Sequence, residues 1–234
     1  RREEFGRSLF IPTRGRSEAE TIDHFAAVAS EEEQAMEFLW NGLKEAFNLW
    51  IHGDAEIIEI TLRTLAISAA ATAVALLIGV PAGAVLALKR FRGRRFIVAL
   101  VNTGMGMPPV VVGLVVAIFL WRSGPLGSLN LIFTPTAMVI AQFVIAVPLV
   151  VGFSMASIQS LNPRLLDQIV ALGANRLQLL WLLVREARLG LLAALMAGFG
   201  AVISEVGASM MVGGNIAGET RVLTTATVLE TSRG

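Results

Sequence analysis

From Thr64 to Leu88 the chain runs for about 25 residues without a charged side chain. At about 1.5 Å of rise per residue, that run as a helix is long enough to cross the hydrocarbon core of a bilayer. Two more uncharged runs follow, Phe96–Trp121 and Thr136–Ile158, and a fourth, Leu189–Val212, is charged only at Glu205. Hydrophobic residues make up 55% of the chain, more than a soluble domain carries. The expected fold is therefore all-α, a polytopic membrane helical bundle with spans at about 64–88, 96–121, 136–158 and 189–212.

Charge placement orients the bundle. The first run ends in KRFRGRR, Lys89–Arg95, with five basic residues in seven. A basic cluster beside a span marks the cytoplasmic side, whereas the next connection, Arg122–Pro135, holds one basic residue. With four spans, both ends of the chain then lie outside. Read alone, the same cluster also fits a nucleic-acid or lipid patch, but its position between two spans makes topology the better explanation. No nucleic-acid partner is expected.

Ahead of the first span, residues 1–35 are charged and poor in large apolar side chains, which reads as a disordered extension, with Met36 as a candidate natural start. Residues 36–60 read as an amphipathic interfacial helix interrupted near Gly53-Asp54, with Trp40 and Trp50 of the type found at membrane interfaces.

Three features inside the bundle stand out. Pro108-Pro109 removes two backbone donors from the second run and forces a kink or break. Such backbone is tolerated at membrane depth only beside protein or a water-filled cavity, so the pair points to a pathway or a packing seam. Gly104, Gly106 and Gly113 allow neighbouring helices to approach closely. Glu205 is an acid within a span, by default a functional position; its bland alternative is a hydrogen-bonded group near the outer end.

Between the third and fourth spans lies a polar connection, 159–188, that contains LNPRLLDQIVALGANRLQLLW. Asn162-Pro163 starts a helix, Leu165, Leu166, Ile169 and Leu172 recur at helical spacing, and Gly173 permits a tight bend. An amphipathic helix pair of this kind lies on a membrane surface or docks into another protein's groove; the residues alone do not separate the two.

Several classes are disfavoured. Cysteine is absent and the two histidines, His24 and His52, precede the spans, so no thiolate or histidine metal site or catalytic centre is expected within them. The chain has no Gly-rich phosphate loop ending in Gly-Lys-Ser/Thr. An ion-coupled secondary transporter, which favours repeats and buried ionisable pairs, finds one candidate acid here and no repeat.

Against this background the chain resembles the permease subunits of ABC-type importers, in particular the tungstate/molybdate oxyanion group. The resemblance covers about Met36–Gly234. It is carried by MGMPPVVVGL (105–114), GFGAVISEVGASMMVGGNI (198–216), ETRVLTTATVLET (219–231), the RFRGRR turn and SGPLGSLNLIFTPTAMVIAQ. The family's cytoplasmic coupling loop has the pattern Glu-Ala-Ala, three residues, Gly. Gly173 matches the glycine and Asp167 the glutamate, while Gln168 and Ile169 stand for the alanines and Val184-Arg185 for the usual Leu-Pro. The family pattern implies a further span after LETSRG.

The resemblance implies a non-enzymatic transport subunit in the plasma membrane, with no cofactor. Its implied partners are a separate ATP-binding subunit, an extracytoplasmic substrate-binding protein, a second permease copy in a homodimer, and membrane lipid. Coupling to the ATPase would fall to Asp167, Gln168, Leu172, Gly173 and Ala174, and the pathway or gate to Pro108, Pro109, Val112, Glu205 and Asn215. Permeases for other anions such as sulfate are the alternative.

Overall fold

Proline and hydrogen-bonding side chains, rather than hydropathy, set where the helices of this chain stop. The computed structural model describes residues 36, 37, 40–42, 44, 54–162, 168, 169 and 171–233. The expected extension at 1–35 and most of the expected interfacial helix lie outside these, although Met36, Glu37, Trp40–Gly42 and Lys44 are helical. Residues 58–234 form one compact unit and 1–57 another.

The described elements are helices: α1 (Ala55–Leu88), α2 (Arg94–Met105), α3 (Pro109–Leu120), α4 (Pro135–Gln159), α5 (Arg176–Glu186), α6 (Arg188–Ile203), α7 (Gly207–Gly213) and α8 (Leu223–Arg233), with a 3-10 turn at Gly127–Leu129. No strand occurs among the described residues. Asp54 Oδ1 caps α1 by accepting from the N–H groups of Glu56 (2.9 Å) and Ile57 (3.2 Å), so the helix starts nine residues before the expected span.

Two helices, α1 with 34 residues and α4 with 25, are long and apolar enough to cross a membrane alone. The second expected span is instead a bent pair, α2 and α3, with 107° between the halves. Pro109 occupies the first turn of α3 and forces Pro108 out of the helical region, to φ −58°, ψ 125°. With 12 residues, α3 is about 18 Å long, too short to span alone. The fourth expected span also breaks: α6 ends at Ile203, where Ser204 Oγ donates to the Gly200 carbonyl at 2.8 Å, and α7 begins at Gly207. A further bend of 79° separates Leu177–Glu186 from α6.

The bundle is assembled on α4, which packs against α6 most extensively and also against α2, α3 and α7. Small residues make the approaches. A Cβ placed on Gly79 or Gly83 of α1 would lie 2.8 Å from Val150 or Ser154 of α4, and one on Gly104 of α2 would lie 2.8 Å from the Pro148 ring. The inward face of α1 carries Thr64, Ser68, Ala71, Thr72 and Ala75, whereas Leu62, Leu77 and Ile78 face outward. That is the reverse of a water-soluble helix and suits a bundle whose solvent is lipid.

The main core joins Ile67, Val116, Leu120, Met138, Ile145, Val150, Val202 and Val212. A smaller one, Ala84, Ile158, Leu183, Ala187 and Leu191, fixes α5 to the ends of α1 and α4.

Candidate functional site

The connection between α4 and α6 turns sharply at Gly173. Gln168, Ile169 and Ala171 are helical, and Gly173 reverses the chain with φ +78°. The Leu172 N–H donates to the Gln168 carbonyl (3.0 Å) and the Ala174 N–H to that of Ile169 (3.3 Å), which closes the helix end in the left-handed manner. An L side chain in that conformation costs about 1–2 kcal/mol. Just beyond, Asn175 and Gln178 form a reciprocal capping box: the Gln178 N–H donates to Asn175 Oδ1, and the Asn175 N–H to Gln178 Oε1, each at 2.8 Å. The turn and the restart of the helix are therefore both locally encoded.

Of the five expected coupling residues, Gln168, Leu172, Gly173 and Ala174 meet in this turn; Asp167 lies outside the described residues. Leu172 is 87% exposed, and the space around Gly173 is open. The second helix of the expected pair is α5, whose apolar side chains were not singled out from sequence. Leu177, Trp181 and Val184 are exposed along one face, and the Arg185 guanidinium lies 5.4 Å from the Trp181 ring centroid. The opposite face buries Leu183. Spacing by four and then three residues was the available signal.

The expected pathway residues divide. Pro108 is exposed and Pro109 half-buried at the α2–α3 elbow. Val112 is 7% exposed and belongs to the main core, while Val110 and Val111 are exposed. Each residue turns a helix by about 100°, so one position separates an open side chain from a buried one.

Glu205 is buried in the break between α6 and α7. Its Oε1 accepts from the Ala208 N–H at 2.9 Å, and its own carbonyl accepts from the Thr224 hydroxyl at 2.9 Å. The carboxylate thus caps α7, a favourable end for negative charge.

Asn215 adopts φ +53° and its Nδ2 donates to the Thr225 carbonyl at 3.3 Å. It sits in a connection, 214–222, that is stitched from within and without. The Thr220 hydroxyl donates to the Gly213 carbonyl and accepts from the Ile216 N–H. Arg63 of α1 donates to the carbonyls of Gly218 (2.7 Å) and Arg221 (3.2 Å) and pairs with Glu59. The Leu223 N–H donates to Thr64 Oγ1 at 3.0 Å. Arg63 and Thr220 were not singled out from sequence; an arginine at the edge of an apolar run, four residues after a glutamate, was the mark of the first.

Comparison with known proteins places this geometry. Residues 79–230 match the family model described as the binding-protein-dependent transport system inner membrane component. The chain is 42% identical over 183 residues (76% of the chain, 79% of the relative) to a probable anion ABC transporter permease protein of Haloferax volcanii. It is 38% identical over 199 residues (85% of the chain, 87% of the relative) to the tungstate uptake system permease protein TupB of Peptoclostridium acidaminophilum. Among solved structures, the MetNI methionine ABC transporter in an inward-facing conformation matches with a TM-score of 0.62 at 20% identity, covering 76% of this chain and 82% of that one; at that identity the likeness is one of fold.

Proposed function

Because the chain belongs to the family of binding-protein-dependent transport system inner membrane components, we propose that it forms the translocation pathway of an ATP-driven importer for an oxyanion, tungstate foremost. The observation that carries the choice of cargo is the 38% identity to a tungstate uptake permease over 85% of the chain. The protein is a multi-pass membrane transport subunit. ATP would be bound and hydrolysed by a separate subunit, and an extracytoplasmic binding protein would deliver the anion. A second copy of the chain would complete the pathway, and lipid would cover the remaining apolar surface.

The site geometry supports a division of labour. The turn that exposes Gln168, Leu172 and Gly173, with Asp167 before it in sequence, is offered to a cleft on the ATPase. Leu177 and Trp181 extend the contact with apolar area of the kind that dominates interface energetics. Motion of the turn would reach α6 through the buried Leu183 and Ala187, and then α4 through the α4–α6 seam. This is a packed two-state element biased by nucleotide at one end and cargo at the other.

Pro108 and Pro109 are proposed to border the pathway together with the exposed Val110 and Val111, and Val112 backs them from the core. An oxyanion passes best along amides, hydroxyls and helix ends, without a deep cationic trap that would hold it. Glu205 is assigned to holding α7, and Asn215 to shaping the connection beyond it near the outer gate.

The test is reconstitution of the permease with its ATPase and binding protein in liposomes. ATP hydrolysis is measured with tungstate, molybdate or sulfate. Stimulation by tungstate-loaded binding protein is the expected result. Stimulation by sulfate alone would reassign the cargo, and an ATPase that neither co-purifies nor responds to any anion would overturn the importer reading.

A further inference from the structure

The turn between α1 and α2 carries Lys89, Arg90, Arg92, Arg94 and Arg95, and among the described residues no acidic side chain pairs with any of them. Five cations left this close repel one another, and an unpaired cluster is favourable only when anions share it. The turn is built rather than loose. Gly93 sits at φ +90°, the Arg94 N–H donates to the Phe91 carbonyl at 3.2 Å, and Arg94 Nε donates to the Leu86 carbonyl at 2.7 Å. That last bond fixes the Arg94 guanidinium and leaves its terminal nitrogens open.

Two adjoining basins share Arg90 and Arg94. One, about 410 Å³, is completed by Phe91, Gly93 and Arg95; the other, about 500 Å³, by Ile158, Gln159 and Leu161 at the end of α4. Directly below them, α2 has no buried residue. Phe96 is 73% and Leu100 62% exposed, one helical turn apart.

We infer that this turn is a binding site for the phosphodiester headgroup of an anionic phospholipid, whose acyl chains lie along Phe96 and Leu100. A free oxyanion would need the cations only. The apolar track starting one turn beneath them is what an amphiphile needs, and α1 ends here, which sets the turn at headgroup level. Because the second basin includes Leu161, just beyond α4, a lipid seated there touches the start of the connection that carries Gly173. The inference rests on the membrane setting of the chain and not on the identity of the cargo, so it can fail while the importer reading stands.

The test uses the whole purified chain, native mass spectrometry, and titration with phosphatidylglycerol, phosphatidylcholine or inorganic phosphate. Phosphatidylglycerol adducts are expected to exceed phosphatidylcholine adducts. The double variant R90Q/R95Q should lower phosphatidylglycerol affinity roughly 25-fold, since each juxtamembrane charge contributes about a fivefold step, and R90K/R95K should retain most of it. F96S/L100S should weaken the lipid adduct with the cations intact. Equal adducts of the two lipids, or an undiminished adduct in R90Q/R95Q, would overturn the site. So would displacement by inorganic phosphate, which would assign the cluster to a soluble anion. Should R90Q/R95Q fail to fold, the wild-type adduct decides: headgroup binding must weaken with added salt, and a salt-independent adduct rules it out.

Discussion

Gly113 of α3 lies against Ala208 of α7 so closely that a Cβ on the glycine would overlap the alanine Cα. Neither helix crosses a membrane alone, and this seam is where the two short pieces join. Gly113→Val is expected to destabilise the fold by about 1–3 kcal/mol, since an added side chain there must displace backbone. The readout is the thermal midpoint of the purified protein. Gly106→Ala is the control: a Cβ there meets nothing nearer than the Thr103 carbonyl at 3.8 Å, so a comparable loss in that variant would refute the seam as the cause.

Glu205 separates a structural acid from an ion-carrying one. Glu205→Gln keeps an oxygen for the Ala208 N–H and is expected to retain stability and transport. Glu205→Ala leaves a buried N–H without its acceptor, at a cost of about 1–3 kcal/mol. Thermal melts and cargo uptake, measured in parallel, check both. Loss of transport in a well-folded Glu205→Gln protein would point back to ion coupling.

Gly173→Asp tests the exposed turn. With open space around it and φ +78°, the substitution strains only the local backbone, so the bundle should still fold. ATP hydrolysis stimulated by loaded binding protein should fall by an order of magnitude or more. Full stimulation would mean that coupling does not pass through this turn.

Ser154 makes an opposite kind of prediction. Its hydroxyl is fully buried, beside Gly83, and has no hydrogen-bond partner. Ser154→Ala keeps the Cβ that packs on Gly83 and removes a desolvated polar group, so it should be neutral or stabilising by about 1 kcal/mol. A loss of that size in the thermal midpoint would show that the hydroxyl has a role the fold does not display.

Hydropathy made the four apolar runs plain, because the length of an uncharged run answers directly to membrane thickness. It did not show that two of them break. The first break was foreshadowed by Pro108-Pro109, yet its 107° angle depends on the packing of α3 against α7, which is not local. The second, at Ser204–Val206, carries no proline; it exists because Glu205 and Ser204 offer the backbone better partners than a continued helix would. The coupling turn was legible through Gly173, whose backbone demand is written in one residue. That Val112 is buried while Val110 and Val111 are exposed was not legible, since an apolar run of valines carries no mark of which side faces the core.

The double hold of Arg63 on the connection 214–222 runs through the carbonyls of Gly218 and Arg221. Main-chain carbonyls are present whatever the side chain. Arg63 therefore reads no side chain at its two accepting positions, although Gly218, where φ is +75°, and the Thr220 hydroxyl that shapes the connection still constrain its sequence. One change at position 63 releases both points together. Two anchor points on the connection thus stand or fall with a single side chain on α1.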